Sequence, residues 1–491
     1  MQRSLAFVVV MGMALAALGA SSAYAQERAS SARGAVQRPN TPFPTMRIPR
    51  AARGEDAIHL LGKRLPEIAA WHGMTAEKME NILRFDRTAF VDMNGRMYFV
   101  EQIPVSSAPG AASGSATLVQ PVHQTFLLHS RPGALRVLYL NFVGTSLTDS
   151  IWNLRATNFR GFGNPIVAQP FNLDGAASSF SNAELAVIQR VWQRVAEDFA
   201  PFDIDVTTQA PSEADLTRAL RGSSDKFGTT ALITRRTFEM GCGCGGIAYL
   251  SAFDEYDNLN KPALVFYDQL ASDEKNIAEA ISHEAGHNLG LSHDGALGGV
   301  EYYAGHGTGP TGWAPIMGVG YNKELVQWSN GSYANANNLE NDFRVMFVTA
   351  LGSVPDDYGN DLGSARALNA ISPGVSQTVT GIIADQALLT SNQPDVDMFS
   401  TLAYGQITVR VTPAALSPNL DVLVSVYSSS GALLASANPQ NALDATLVFP
   451  QYSSGTIYIS VQGTGNTDPA GGYPKYGSVG QYTLTVSAGS L

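Results

Sequence analysis

Three of the chain's eight histidines fall inside one short run, His283-Glu284-Ala285-Gly286-His287-Asn288-Leu289-Gly290-Leu291-Ser292-His293. Four residues apart on a helix, His283 and His287 project from one face and can grip one ion. Glu284, beside the first imidazole, is not needed as a ligand; its carboxylate is placed to take a proton from water. Gly290 lets the backbone turn sharply, through positive φ, so that His293 returns as a third nitrogen donor. Three protein nitrogens leave a fourth position open, the mark of a catalytic zinc site rather than a closed structural one. A bare H-E-x-x-H arises by chance on charged helices. The complete pattern with Gly290 and His293 points instead to one zinc per chain and to hydrolysis.

The motif needs a rigid frame. Ser272 is expected to cap its helix, with Asp273 and Glu274 at the positive end and Ile277, Ala280 and Ile281 leading into the histidines. Upstream, 135–142 reads as a strand. Ser181 to Phe199 reads as a helix with a Ser181–Glu184 capping box and an apolar stripe of Leu185, Ile188, Trp192, Val195 and Phe199. Further strands are expected over 203–208, 229–234, 245–250 and 263–267.

At these residues the chain resembles the metzincin metalloproteases, whose signature is H-E-x-x-H-x-x-G-x-x-H followed by a Met-turn. Asp294, directly after the third histidine, is most similar to the adamalysin or reprolysin branch. The resemblance implies an α/β (α+β) zincin-like domain with a mixed sheet and an active-site helix. It also implies that Met317, within Ala314-Pro315-Ile316-Met317-Gly318, forms an apolar floor under the metal without ligating it. Astacins and serralysins place a tyrosine where this chain has Val319, and Tyr321 is off register, so no tyrosine ligand is implied. Gly246, Ile247, Ala248 and Tyr249 correspond to the exposed sheet edge that pairs with substrate as an added strand. By the same analogy 295–313 walls the pocket and 338–349 closes the domain. His306, in that loop, reads as a solvated residue rather than a ligand.

The rest of the chain is read from composition. Charged residues make up 15% and glycines number 47, which suits a β-rich exported protein. A net charge of −11 makes nucleic acid and anionic membranes poor partners. Arg3, the apolar run from Leu5 to Leu18 and Ala23-Tyr24-Ala25 form a signal peptide over 1–25, with export through the periplasm or directly outward. No other apolar stretch is long enough to span a membrane. Cys242 and Cys244 are the only cysteines, and an oxidising compartment favours their pairing over free thiols.

Residues 26–128 read as a propeptide, with an independent binding domain as the alternative: a polar stretch expected to be disordered to about 60, a small unit over 56–101, then a Ser/Ala/Gly linker over 106–117. The unit's two short helices span 65–71 and 75–83, and Asp92 to Arg96 turns between strands at 89–91 and 97–100. It has no cysteine and cannot silence zinc through a thiolate. The catalytic domain is expected over 129–352. Over 355–491 short alternating strands suggest an antiparallel β-sandwich, and the segment resembles the bacterial pre-peptidase C-terminal domain. Its acidic pairs could hold Ca²⁺ or be solvated turn residues. It offers no candidate ligand or base, so it is expected to be dispensable for the chemistry. Together these features predict a secreted, monomeric zinc metalloendopeptidase acting on protein or peptide substrates, with Glu284 as general base. An adhesion or binding protein with a vestigial zinc domain is the alternative, against which the intact Glu284 argues. Hydrolysis of a non-peptide amide is also compatible with the motif.

Overall fold

The computed structural model describes residues 39, 41–101, 118–176, 179–219, 225–237, 242–384, 395–468 and 471–491. The expected signal peptide and the 106–117 linker lie outside them. An eight-stranded mixed sheet forms the centre. Its strands run in the order Ala52–Arg53, Ala89–Val91, Met97–Val100, Gly246–Tyr249, Ala263–Phe266, Phe227–Thr234, Arg136–Asn141 and Asp205–Thr207. The last four are mutually parallel. Their aliphatic side chains are largely buried, as expected of strands covered on both faces. Gly246–Tyr249 runs antiparallel to Ala263–Phe266.

Two helices cover the sheet. Asn182–Asp198 starts at the expected capping box, with Ser181 and Glu184 bonding reciprocally. Glu274–Asn288 carries the histidine motif and is buried along almost its whole length. Ile188, Val191, Val195, Ile277, Ile281, Leu289 and Met317 share one core. The cap of the motif helix is Asp273, not Ser272. Asp273 has extended backbone angles and accepts from the Lys275 and Asn276 amides. Ser272, at φ +54°, is left-handed and outside the cap geometry. The closing helix is Asp342–Thr349, capped by Asn341. It is shorter than the expected 338–349.

The N-terminal unit is ordered earlier than its composition suggests. Ala52–Arg53 joins the sheet and Gly54–Leu61 is a helix, ahead of the expected helices at Leu65–Trp71 and Ala76–Phe85. Ile48, Ala52, Ala57 and Leu61 are buried in its core, so a few spaced apolar residues outweigh the polar majority. The unit continues the central sheet: Met97–Val100 pairs antiparallel with Gly246–Tyr249.

From Ser376 onward, long strands build a separate antiparallel sheet, dominated by Asp397–Pro413 and Ala445–Gly463. A short strand, Arg366–Ala367, joins it in parallel. The expected strands at 406–412, 456–461 and 481–486 are segments of longer ones, and that expected at 421–427 is Val422–Ser428. This sheet packs onto the central unit, and Tyr476 and Val479 belong to the same core as the motif helix.

Candidate metal centre

The motif helix sets the His283 and His287 rings with centroids 4.8 Å apart. At Gly290, with φ +102°, the chain turns, and the Leu291 amide donates to the Gly286 carbonyl at 2.9 Å. That turn brings the His293 ring to 5.1 Å from His283 and 4.7 Å from His287. Each Nδ1 is engaged from outside: His283 with the Ile316 carbonyl at 2.8 Å, His287 with the Leu291 carbonyl at 2.8 Å, His293 with Asp86 at 2.6 Å. Such partners fix the tautomer and leave each Nε2 facing the others. His283 Nε2 is buried with no hydrogen-bond partner. A buried nitrogen of this kind is what a cation satisfies.

A fourth group arrives that sequence reasoning missed. Glu101, immediately after the strand Met97–Val100, places Oε1 3.2 Å from His287 Nε2 and 3.0 Å from His293 Nε2, with Oε2 3.6 Å from His283 Nε2. All four ligand atoms lie within 4.8 Å of one another and all four residues are buried. Three imidazoles and a carboxylate are a donor set that suits zinc. The Tyr302 hydroxyl donates to Glu101 Oε2 and its ring lies 4.6 Å from that of His293.

The electrostatics follow from burial and crowding. Burial opposes ionisation of Glu101, yet the positive charge of His293 and His283 pulls its pKa well below the ordinary range. Burial likewise disfavours charged His293, but Glu101 and Asp86 outweigh it and push the imidazole well up. Burial brings His287 down to about 4, which keeps it neutral for ligation.

Glu284 is 1% exposed, and neither carboxylate oxygen has a hydrogen-bond partner. Burial first, and then the charge of Glu101, raise its pKa well above the usual carboxylate value. Its side chain lies against Gly246, where a β-carbon would stand 2.6 Å from its Cδ. Met317 is fully buried behind the helix, and a β-carbon on Gly286 would come within 2.6 Å of its Sδ. The Met317 carbonyl accepts from the Asp294 amide at 2.8 Å. Burial, reinforced by the charge of Glu340, raises Asp294 to about 8.

Gly246 to Tyr249 border the centre, but Met97–Val100 already pairs with Ile247, Ala248 and Tyr249. Cys242 and Cys244 are joined as a disulfide with Cα atoms 5.3 Å apart. His306 lies apart from the cluster. It pairs with the Tyr303 hydroxyl and with the Gly472 carbonyl, each at 2.8 Å, so it joins the loop to the C-terminal unit. Asp356, Asp395 and Asp397 bring ligand oxygens within 4.8 Å of one another. Acidic clusters form without an ion too, and nothing beyond the cluster supports calcium there.

Residues 194–294 match the family described as Metallo-peptidase family M12B, Reprolysin-like. The match supports a metallopeptidase, of a family that typically uses zinc. It spans the motif and only the last residues of the helix packed against it. No curated protein matches the chain. Among solved structures, the pre-peptidase C-terminal domain of a Bacillus anthracis collagenase aligns at 14% identity and TM-score 0.18, over 26% of this chain and 100% of that one. Aeromonas hydrophila PliG, a periplasmic inhibitor of g-type lysozyme, aligns at 12% identity and TM-score 0.16, over 25% of this chain and 98% of that one. At such TM-scores neither likeness bears on fold or function.

Proposed function

We propose that this chain is an exported zinc-dependent endopeptidase of the adamalysin-like branch, made as a precursor with residues 26–128 as propeptide. Three buried imidazoles converging through Nε2, with the unbonded Glu284 carboxylate beside them, carry the reading. His283, His287 and His293 would hold one zinc ion. That ion would supply Lewis acidity toward a scissile carbonyl and toward water. Glu284 would accept a proton from the attacking water and return it to the leaving amine. Backbone groups of Gly246 to Tyr249 would hold the substrate extended along the sheet edge, and Met317 would support the histidines from below. The signal peptide would direct export, and the monomer would carry its C-terminal sheet, which we read as an accessory sandwich of the pre-peptidase type. A vestigial binding protein is disfavoured because both the donor set and the base are intact.

Glutamine at 284 keeps nearly the same size but cannot take the proton. Wild type and Glu284→Gln, freed of residues 26–128, should therefore hold equal zinc. The variant should cleave a mixed peptide library roughly 10²–10⁴-fold more slowly. Equal rates would sink the general-base role. No cleavage by either would return the binding protein to the front.

A further inference from the structure

We propose that Glu101 keeps this centre latent, as a carboxylate set on the fourth position of the metal site by a strand lying where substrate would lie. The inference rests on the metallopeptidase reading and adds its regulation.

The backbone holds Glu101 in place. Its amide donates to the Gly246 carbonyl at 3.0 Å, and its carbonyl accepts from the Gly245 amide at 2.9 Å. With Met97–Val100 paired onward to Tyr249, the edge is saturated and a peptide finds no free backbone groups there. Two residues earlier, Phe99 adds a cover: its ring stacks on His287 at 4.2 Å, with 10° between the planes. From the other side Tyr302 donates its hydroxyl to Glu101. The same N-terminal unit supplies Asp86, which holds His293 Nδ1 at 2.6 Å.

The chemistry of the donor set agrees. Three nitrogens alone leave an open position for water, whereas three nitrogens and a carboxylate close a tetrahedral zinc. Glu101 is 1% exposed and faces the three Nε2 atoms at 3.0–3.6 Å, so it is committed to that position. The unit contains no cysteine, and a carboxylate takes the part a thiolate could have played. Removal of residues up to Glu101 would in one step free the fourth position and the sheet edge.

Cobalt in place of zinc reports its ligands through its visible spectrum. The full chain carrying Glu284→Gln, which cannot process itself, is compared with the same chain also carrying Glu101→Gln. Each should bind one cobalt ion, and the two spectra should differ. Acetohydroxamate, a small chelating probe, should shift the spectrum of the double variant at a concentration at least about tenfold lower. Glu101→Asp, which keeps the charge but shortens the reach, should fall between them. Identical spectra and equal acetohydroxamate titrations, with cobalt bound in both chains, would overturn the role of Glu101 and leave the metallopeptidase reading standing. Failure of both chains to bind cobalt would overturn that reading and this inference with it. If the double variant does not fold, the single variant decides alone: ready binding of acetohydroxamate to it would refute a closed fourth position.

Discussion

At Gly246 a β-carbon would stand 2.6 Å from Cδ and 2.8 Å from Cγ of Glu284. The three residues after it on the strand have side chains, so this one position is kept clear for the Glu284 carboxylate. Gly246→Ala should push the carboxylate aside while leaving all three histidines in place. Zinc content should stay at the wild-type level, and cleavage by the processed enzyme should fall by about 10²-fold or more, toward the loss of the base itself. A variant with undiminished turnover would show that Glu284 works from another position. The histidines and Glu284 were readable in the sequence because helix periodicity and one turn bring them together locally. Glu101, Tyr302 and Asp86 were not. Glu101 reaches the site through sheet pairing with a strand far along the chain, and an acid at the end of an apolar strand carries no local signal of its destination.

The turn after the motif helix is the element that brings a third imidazole to the other two. A β-carbon at Gly290 would have room, its nearest neighbour being Ser251 Oγ at 3.4 Å, but φ +102° strains any residue with a side chain. Gly290→Ala should therefore destabilise the fold by roughly 1–2 kcal/mol, read by chemical denaturation, and weaken zinc retention by displacing His293. Unchanged stability would mean that the turn can be made another way. Elements with strong local signatures were the legible ones. The Ser181–Glu184 box, the Asp92 to Arg96 turn and the apolar strands of the central sheet all lie near their expected positions. Misreadings occurred where tertiary contact decides: strand length in the C-terminal sheet, the order before residue 60, and the Asp273 cap, which depends on the left-handed backbone of Ser272.

At the scale of the molecule, the C-terminal sheet is built into the central unit more deeply than an appendage would be. Glu197, on the helix packed against the motif helix, accepts from the Gln481 amide at 3.2 Å and from Gln481 Nε2 at 3.0 Å. Asn419 Nδ2 donates to Asp198 at 2.9 Å. A chain ending near Gly352 would lose these partners and uncover the core that Tyr476 and Val479 complete, so the expected dispensability of this unit meets a structural obstacle. Burial raises Glu197 from 4.5 to about 7, against the pull of Gln481. The folded state thus holds a proton that the unfolded chain gives up. Stability from this group is full below pH about 4.5 and is lost as pH rises through about 7. At about 1.4 kcal/mol per unit the loss is roughly 3 kcal/mol. Glu197→Gln stays neutral, so its melting temperature should fall less than that of wild type between pH 5 and pH 8. Parallel curves would mean that Glu197 does not titrate in this window.

The N-terminal unit and the central unit share one sheet. Cutting the chain after Glu101 breaks a covalent bond and no hydrogen bond of the sheet. Ion pairs from Lys78 to Glu340 and from Arg96 to Glu255, and the Tyr249 hydroxyl on Asp92, also remain across the boundary. The severed piece would stay seated as a tight-binding partner, now held by affinity instead of by tether. The onset of activity would then lag behind the cut by the residence time of that piece, and the molecule would carry its own clock.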